Sequence, residues 1–152
     1  MSGVAERRRL LKTMRMMSTS AIMLHQVVAD KLGLSLTDYK CLDILTRFGS
    51  MTAGKLTNMS GLTTGAVTGV IDRLERAGYA RRADNPTDRR SVIVELTWNA
   101  DQTRAYESIF STLEKRMDKM TASYSDKELS FFTDFMGKIV DILRNETIEK
   151  SE

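Results

Sequence analysis

The stretch SGLTTGAVTGVIDRLERAGYARRADNPTDRRSVIVELT, residues 60–97, changes period twice and thereby decides the fold. Its first half repeats apolar residues at helical spacing, Val67, Val70, Ile71 and Leu74, and stops at Gly78. Its second half alternates Val92, Val94 and Leu96, the period of a strand. Residues 79–83 read as the preceding strand, and DNPTD between the two is turn chemistry around the chain's single proline, Pro86. The stretch is therefore a helix followed directly by a β-hairpin.

Working outward, Gly61 makes a tight turn before this helix, with Thr63 or Thr64 as its cap, and Thr52 opens a shorter helix through about Met59. Upstream, LSLTDYKCLDILTRF carries Thr37 as an expected N-cap and Cys41, Leu42, Leu45 and Phe48 on one face, ending at Gly49. The chain opens with a long helix striped by Leu10, Met14, Met17, Ala21, Leu24 and Val28, for which Gly33 is the stop. Downstream, Tyr106, Ile109, Phe110, Leu113, Met117 and Met120 share one helical register. A second helix begins at a Ser125–Glu128 capping box and carries Leu129, Phe132, Met136, Ile139 and Leu143. The first few residues and the last, NETIEKSE, are expected to be loose. The fold class is mainly α with a small β-hairpin. It reads as a winged helix-turn-helix over 34–98, flanked by an N-terminal helix, 1–33, and C-terminal helices, 99–152, for which dimerisation is the expectation.

Composition narrows the function. With 41% apolar and 28% charged residues the chain can build a core under an ordinary charged surface. One cysteine excludes an intrachain disulfide framework, and one histidine leaves no metal cluster; both counts fit a cytoplasmic chain without metal or cofactor. Arg15 and Ser18-Thr19-Ser20 interrupt the apolar N-terminal run, against a signal peptide, and no run reaches the ~20 residues that cross a bilayer. No nucleophile–base pair or phosphate-cradling loop points to an enzyme. A net charge of +3, from 23 basic and 20 acidic residues, is too mild to identify a nucleic-acid partner, so placement of charge decides.

That placement is distinctive. Opposite its apolar stripe, the helix after Thr63 and Thr64 presents Gly65, Ala66, Thr68, Gly69, Asp72, Arg73 and Arg76. Two glycines cost about 1 kcal/mol each against alanine, yet they let a helix sink into a major groove. The competing reading is a surface that merely tolerates poor helix formers. At the hairpin tip Arg89 and Arg90 would lie over the backbone or in the adjacent minor groove, with Asp84 and Asp88 stiffening the wing by holding one arginine. The competing reading is a solvated hairpin with incidental ion pairs.

LTDYKCLDIL, SGLTTGAVTGVIDRLERAGYARR and DNPTDRRSVIVELT, within residues 35–97, resemble the MarR family of bacterial transcriptional regulators, most closely at the wing signature. The resemblance implies a homodimer with intertwined terminal helices on a palindromic double-stranded DNA operator. Residues 63–76 would be the recognition helix, with Arg73 on phosphate or base and Arg89 and Arg90 as wing contacts. It also implies a repressor released by a small phenolic or lipophilic effector or by oxidation. Large residues on the outer helices, among them Phe131, Phe132 and Phe135, support self-association independently. Met17, His25 and Tyr39 are candidate effector-binding residues, each with an alternative reading as interface or core. Cys41, on an apolar face, reads as packing rather than as a redox switch. The alternative function is a winged-helix module that binds protein without sequence-specific DNA binding.

Overall fold

A computed structural model of the chain describes residues 2–149. They form α1 (Ser2–Lys31), α2 (Leu36–Phe48), β1 (Met51–Thr52), α3 (Ala53–Ser60), α4 (Thr64–Arg76), β2 (Ala80–Asp84), β3 (Val92–Leu96), α5 (Ala100–Thr121) and α6 (Asp126–Glu149). The chain separates into two compact units, Met1–Asn99 and Ala100–Glu152.

In the first unit α2, α3 and α4 pack around Tyr39, Leu42, Leu45, Leu56, Val67, Val70, Ile71 and Leu74, all essentially inaccessible, with Val94 of the sheet. Burying each such side chain contributes roughly 1.5–3 kcal/mol before entropy is counted. The end of α1 joins this core through Val28 and Ala29, and Tyr79 Oη donates to the carbonyl of Leu32 at 2.9 Å. The expected helix-strand-strand order holds, and the stripe of α4 faces inward as its spacing predicts. The strands pair antiparallel in the order β1-β3-β2, with Met51 opposite Val94, Ala80 opposite Leu96 and Asp84 opposite Val92. Gly33 and Gly78 stop α1 and α4 at φ of 68° and 75°, left-handed values that favour glycine.

Several local expectations change. The cap of α2 is Ser35, not Thr37: Ser35 has extended backbone and its Oγ accepts the Asp38 N–H at 3.1 Å. Thr37 already lies inside the helix. Phe48 is 52% exposed instead of lining the core, because α2 ends there and only its earlier turns face α3 and α4. The hairpin gains a third strand, β1. Residues 2–9 and 145–149 are helical rather than loose; Met1 and residues 150–152 lie outside the described residues.

The second unit is a helical hairpin. Its turn is fixed by the predicted capping box: Glu128 Oε2 accepts from the Ser125 N–H at 2.8 Å and the Glu128 N–H returns to Ser125 Oγ at 3.4 Å. Those bonds to Ser125 hold the Glu128 carboxyl below its ordinary range. On α6, Phe131 stacks on Phe135 with centroids 6.3 Å apart, yet Phe131, Phe132, Ile142 and Leu143 remain exposed. Leu11, Met16, Ile22 and Met23 of α1 are exposed likewise.

Candidate nucleic-acid interface

Helix α4 begins at a built cap. Thr63 Oγ1 accepts the Ala66 N–H at 3.3 Å, so of the two candidate caps it is Thr63 that serves and Thr64 that starts the helix. Gly65, Ala66, Thr68, Arg73 and Arg76 are exposed and Gly69 is half-buried. Thr68 Oγ1 donates to the Thr64 carbonyl at 3.0 Å, which leaves its methyl and oxygen lone pairs outward. The two glycines have different surroundings. A Cβ at Gly65 would meet nothing within 4 Å, so nothing among the described residues requires glycine there. A Cβ at Gly69 would stand 3.3 Å from Arg73 Nη1.

Arg73 is not a free cation. Its Nε donates to both Asp38 carboxylate oxygens at 3.0 Å and its Nη2 to Asp38 Oδ1 at 2.8 Å. The carboxylate is buried at the start of α2 while the guanidinium stays half-exposed. The hydrogen bond that Arg73 donates to Asp38 holds the Arg73 pKa above its ordinary value.

A second clamp comes from Arg82 on β2. Its Nη2 donates to Asp72 Oδ1 at 2.6 Å, its Nη1 pairs with Glu75, and the Arg82 backbone N–H donates to Glu75 Oε1 at 2.6 Å. The hairpin and α4 are thus tied by charge-assisted bonds. Sequence reasoning missed both Arg82 and Asp38. A signal for the first existed: in β2, Arg82 shares a face with buried Ala80, so an inward-facing arginine required an acid on the helix beneath. The pair from Arg81 to Glu95, at 2.9 Å, crosses the ladder on the solvent side.

The wing tip is ordered by polar bonds to backbone. Asn85 Oδ1 accepts the Thr87 N–H at 3.1 Å and Asn85 Nδ2 donates to Ser91 Oγ at 2.7 Å. Asp88 Oδ1 accepts the Arg90 N–H at 3.0 Å, and the Asp88 carbonyl accepts the Ser91 N–H at 3.1 Å. The expectation that an acid holds an arginine side chain is corrected: Asp88 shapes the turn through backbone, and Asp84 ends the ladder opposite Val92. Among the described residues, neither Arg89 nor Arg90 has a carboxylate within ion-pairing distance. Both guanidiniums are exposed, as is Arg76, whose Nε bonds only to the Asp72 carbonyl at 3.2 Å.

Of the candidate effector residues, His25 and Tyr39 meet edge-to-face with ring centroids 5.5 Å apart, and Tyr39 is buried. Met17 lies about two turns earlier on α1, exposed. Cys41 is fully buried, and burial pushes its thiol up to about 11, which keeps it protonated and unreactive at neutral pH. No His, Cys, Asp and Glu grouping among the described residues could hold a metal, and no helix among them is long and apolar enough to cross a membrane.

A capped helix with a low outer face, tied to a hairpin whose tip carries unpaired guanidiniums, defines a winged helix-turn-helix protein. The MarR family model matches residues 34–92. An HTH-type transcriptional regulator of Bacillus subtilis, YcgE, is 41% identical over 133 residues, spanning 87% of this chain and 84% of that one. The chain belongs to the MarR family of DNA-binding transcriptional regulators. Its fold is that of solved relatives. NadR in complex with 4-hydroxyphenylacetate matches with a TM-score of 0.62 at 19% identity, over 85% of this chain and 91% of that one. Reduced AbfR bound to DNA matches with a TM-score of 0.58 at 19% identity, over 94% and 99%.

Proposed function

We propose that the chain acts in the cytoplasm as a homodimeric repressor, without enzymatic activity, that binds a palindromic operator and is released by a small phenolic or lipophilic effector. The observation that carries the DNA half is the contrast among arginines: Arg73 and Arg82 are held by acids, whereas Arg76, Arg89 and Arg90 are left exposed without one. Unpaired guanidiniums on an ordered tip suit phosphate or a narrow minor groove. In this reading Thr63, Thr64, Gly65, Ala66, Thr68 and Gly69 present backbone and small side chains to the major groove. A dimer is supported by the apolar faces of α1 and α6, too large to stand in water singly. It supplies the two-fold axis that a palindrome mirrors. A dimer bound over a promoter would obstruct polymerase, the action expected of a repressor. NadR with its phenolic acid supports an effector of that chemistry, for which His25 and Tyr39 are the paired candidates.

The test is selection of duplexes from random DNA, followed by binding measured across salt. Wild type is expected to enrich an inverted repeat and to lose affinity steeply with salt, with a slope of about −0.9 per phosphate neutralised. Arg89→Ala with Arg90→Ala should flatten that slope and weaken binding at least about tenfold while the dimer persists. An unchanged slope would remove the wing from the interface, and failure to enrich any repeat would favour a protein-binding winged module.

A further inference from the structure

We infer that Asp38 is a positioning residue for DNA recognition: it grips one side of the Arg73 guanidinium so that the terminal edge stands ready for a pair of acceptor atoms on duplex DNA, in a seat that Gly69 keeps open. The inference rests on the reading of α4 as the recognition helix.

Four observations carry it. A guanidinium has five N–H donors, and the bonds to Asp38 engage the Nε–H and one Nη2 hydrogen. That leaves both Nη1 hydrogens and one on Nη2, the edge that forms two parallel bonds to a phosphate or to guanine O6 and N7. Second, the pair is lopsided. The Asp38 side chain is 4% exposed and that of Arg73 47%. Burying a carboxylate costs desolvation, while a half-exposed partner returns little net stability, so stability accounts poorly for the arrangement. Third, Asp38 occupies the position where an acid would close a capping box on Ser35. Glu128 does this on Ser125, whereas the Asp38 carboxylate is turned to an arginine 35 residues away. Fourth, Gly69 lies one turn before Arg73, and a Cβ there would press on Nη1. With the guanidinium pinned at its other side it has little room to yield.

Phosphate and guanine edge offer the same paired acceptors, and the test separates them. Duplexes enriched by wild type from random DNA serve as the probe. Full-length wild type, Asp38→Asn, Arg73→Lys, their combination and Gly69→Ala are compared by fluorescence anisotropy at several salt concentrations, alongside thermal unfolding. Asp38→Asn is expected to bind roughly tenfold more weakly while remaining folded. A loss confined to one G·C position per half-site identifies a guanine. A uniform loss with a shallower salt slope identifies a phosphate. Arg73→Lys keeps the charge pair but not the two-pronged edge; it should lose as much, and adding Asp38→Asn to it should cost nothing further. Gly69→Ala should weaken binding in the same pattern.

Undiminished binding by Asp38→Asn overturns the inference. So does a loss that persists in full on the Arg73→Lys background, since Asp38 would then act through the fold alone. Should Asp38→Asn fail to fold, Arg73→Lys decides: unchanged binding and base preference by that variant overturns the assignment. Failure of wild type itself to select DNA overturns the recognition-helix reading as a whole, a distinct outcome.

Discussion

Arg82→Met isolates the clamp between wing and recognition helix. The substitution keeps an apolar stem over α4 and deletes the donors to Asp72 Oδ1 and to Glu75, together with a 3.5 Å contact to the Thr68 carbonyl. The magnitude follows from exposure. Asp72 is 52% exposed, so its half of the clamp is worth about 0.5 kcal/mol. Arg82 and Glu75 are each about one-third exposed, which discounts a charge-assisted bond to about 1.5 kcal/mol. The long contact to Thr68 adds little. The sum, about 2 kcal/mol, corresponds to a melting temperature lower by roughly 4–8 °C for a chain of this size. Glu75 retains the Arg82 backbone N–H, so the hairpin should still form. Thermal unfolding at pH 7 of wild type, Arg82→Met, Glu75→Gln and the double variant gives the coupling directly, expected near 1 kcal/mol or more. In 0.5 M salt the Asp72 share should be screened, and the deficit should shrink toward the Glu75 share. A melting temperature within about 1 °C of wild type, with negligible coupling, would refute the clamp.

Two further outcomes are expected. The folded Cys41 thiol ionises at about 11 and the unfolded one near its ordinary 9.0, so stability is complete below pH 9 and declines by about 2–3 kcal/mol as pH rises to 11. Denaturant titrations at pH 8 and 10.5 should show a steeper decline in wild type than in Cys41→Ala, and parallel declines would disprove it. Phe131→Glu combined with Leu143→Glu should weaken self-association by at least about ten-thousandfold, because each loses roughly 1.5–3 kcal/mol of burial in both subunits. Sedimentation reads this out, and an intact dimer at low protein concentration would place the interface elsewhere.

The parts of this fold legible in sequence are those set by local period and local chemistry. The stripe of Val67, Val70, Ile71 and Leu74 and the alternation of β3 each repeat within a few residues, so the chain states them directly, while the α4 cap is narrowed only to Thr63 or Thr64. Strand β1 escaped because Met51–Thr52 is too short to alternate. The α2 cap was displaced by two residues, since two hydroxyls stand close together and the choice between them turns on which N–H each can reach. Phe48 shows a different limit: periodicity says which face is apolar, not how far the neighbouring helix extends to cover it.

The clamps were illegible for a more general reason, and it bears on function. Asp38 and Arg73 are separated by 35 residues, and no short-range pattern marks Arg73 as an arginine that will be held; only for Arg82 does strand alternation carry a signal. Sequence placed six arginines on α4, on β2 and at the hairpin tip, 73, 76, 81, 82, 89 and 90, of which Arg81 pairs with Glu95 across the ladder. Folding sorts them, with Asp38 taking one, Asp72 and Glu75 another. The acids beside the wing read as partners for its tip, yet Asp88 Oδ1 accepts the Arg90 N–H, and among the described residues no carboxylate pairs with the Arg89 or Arg90 side chain. A net charge of +3 is therefore compatible with a strongly cationic contact surface. Asp72 and Glu75 are consumed inside the subunit, where they tie α4 to the hairpin through Arg82; on the proposed reading, Arg76, Arg89 and Arg90 would then meet a DNA backbone already aligned.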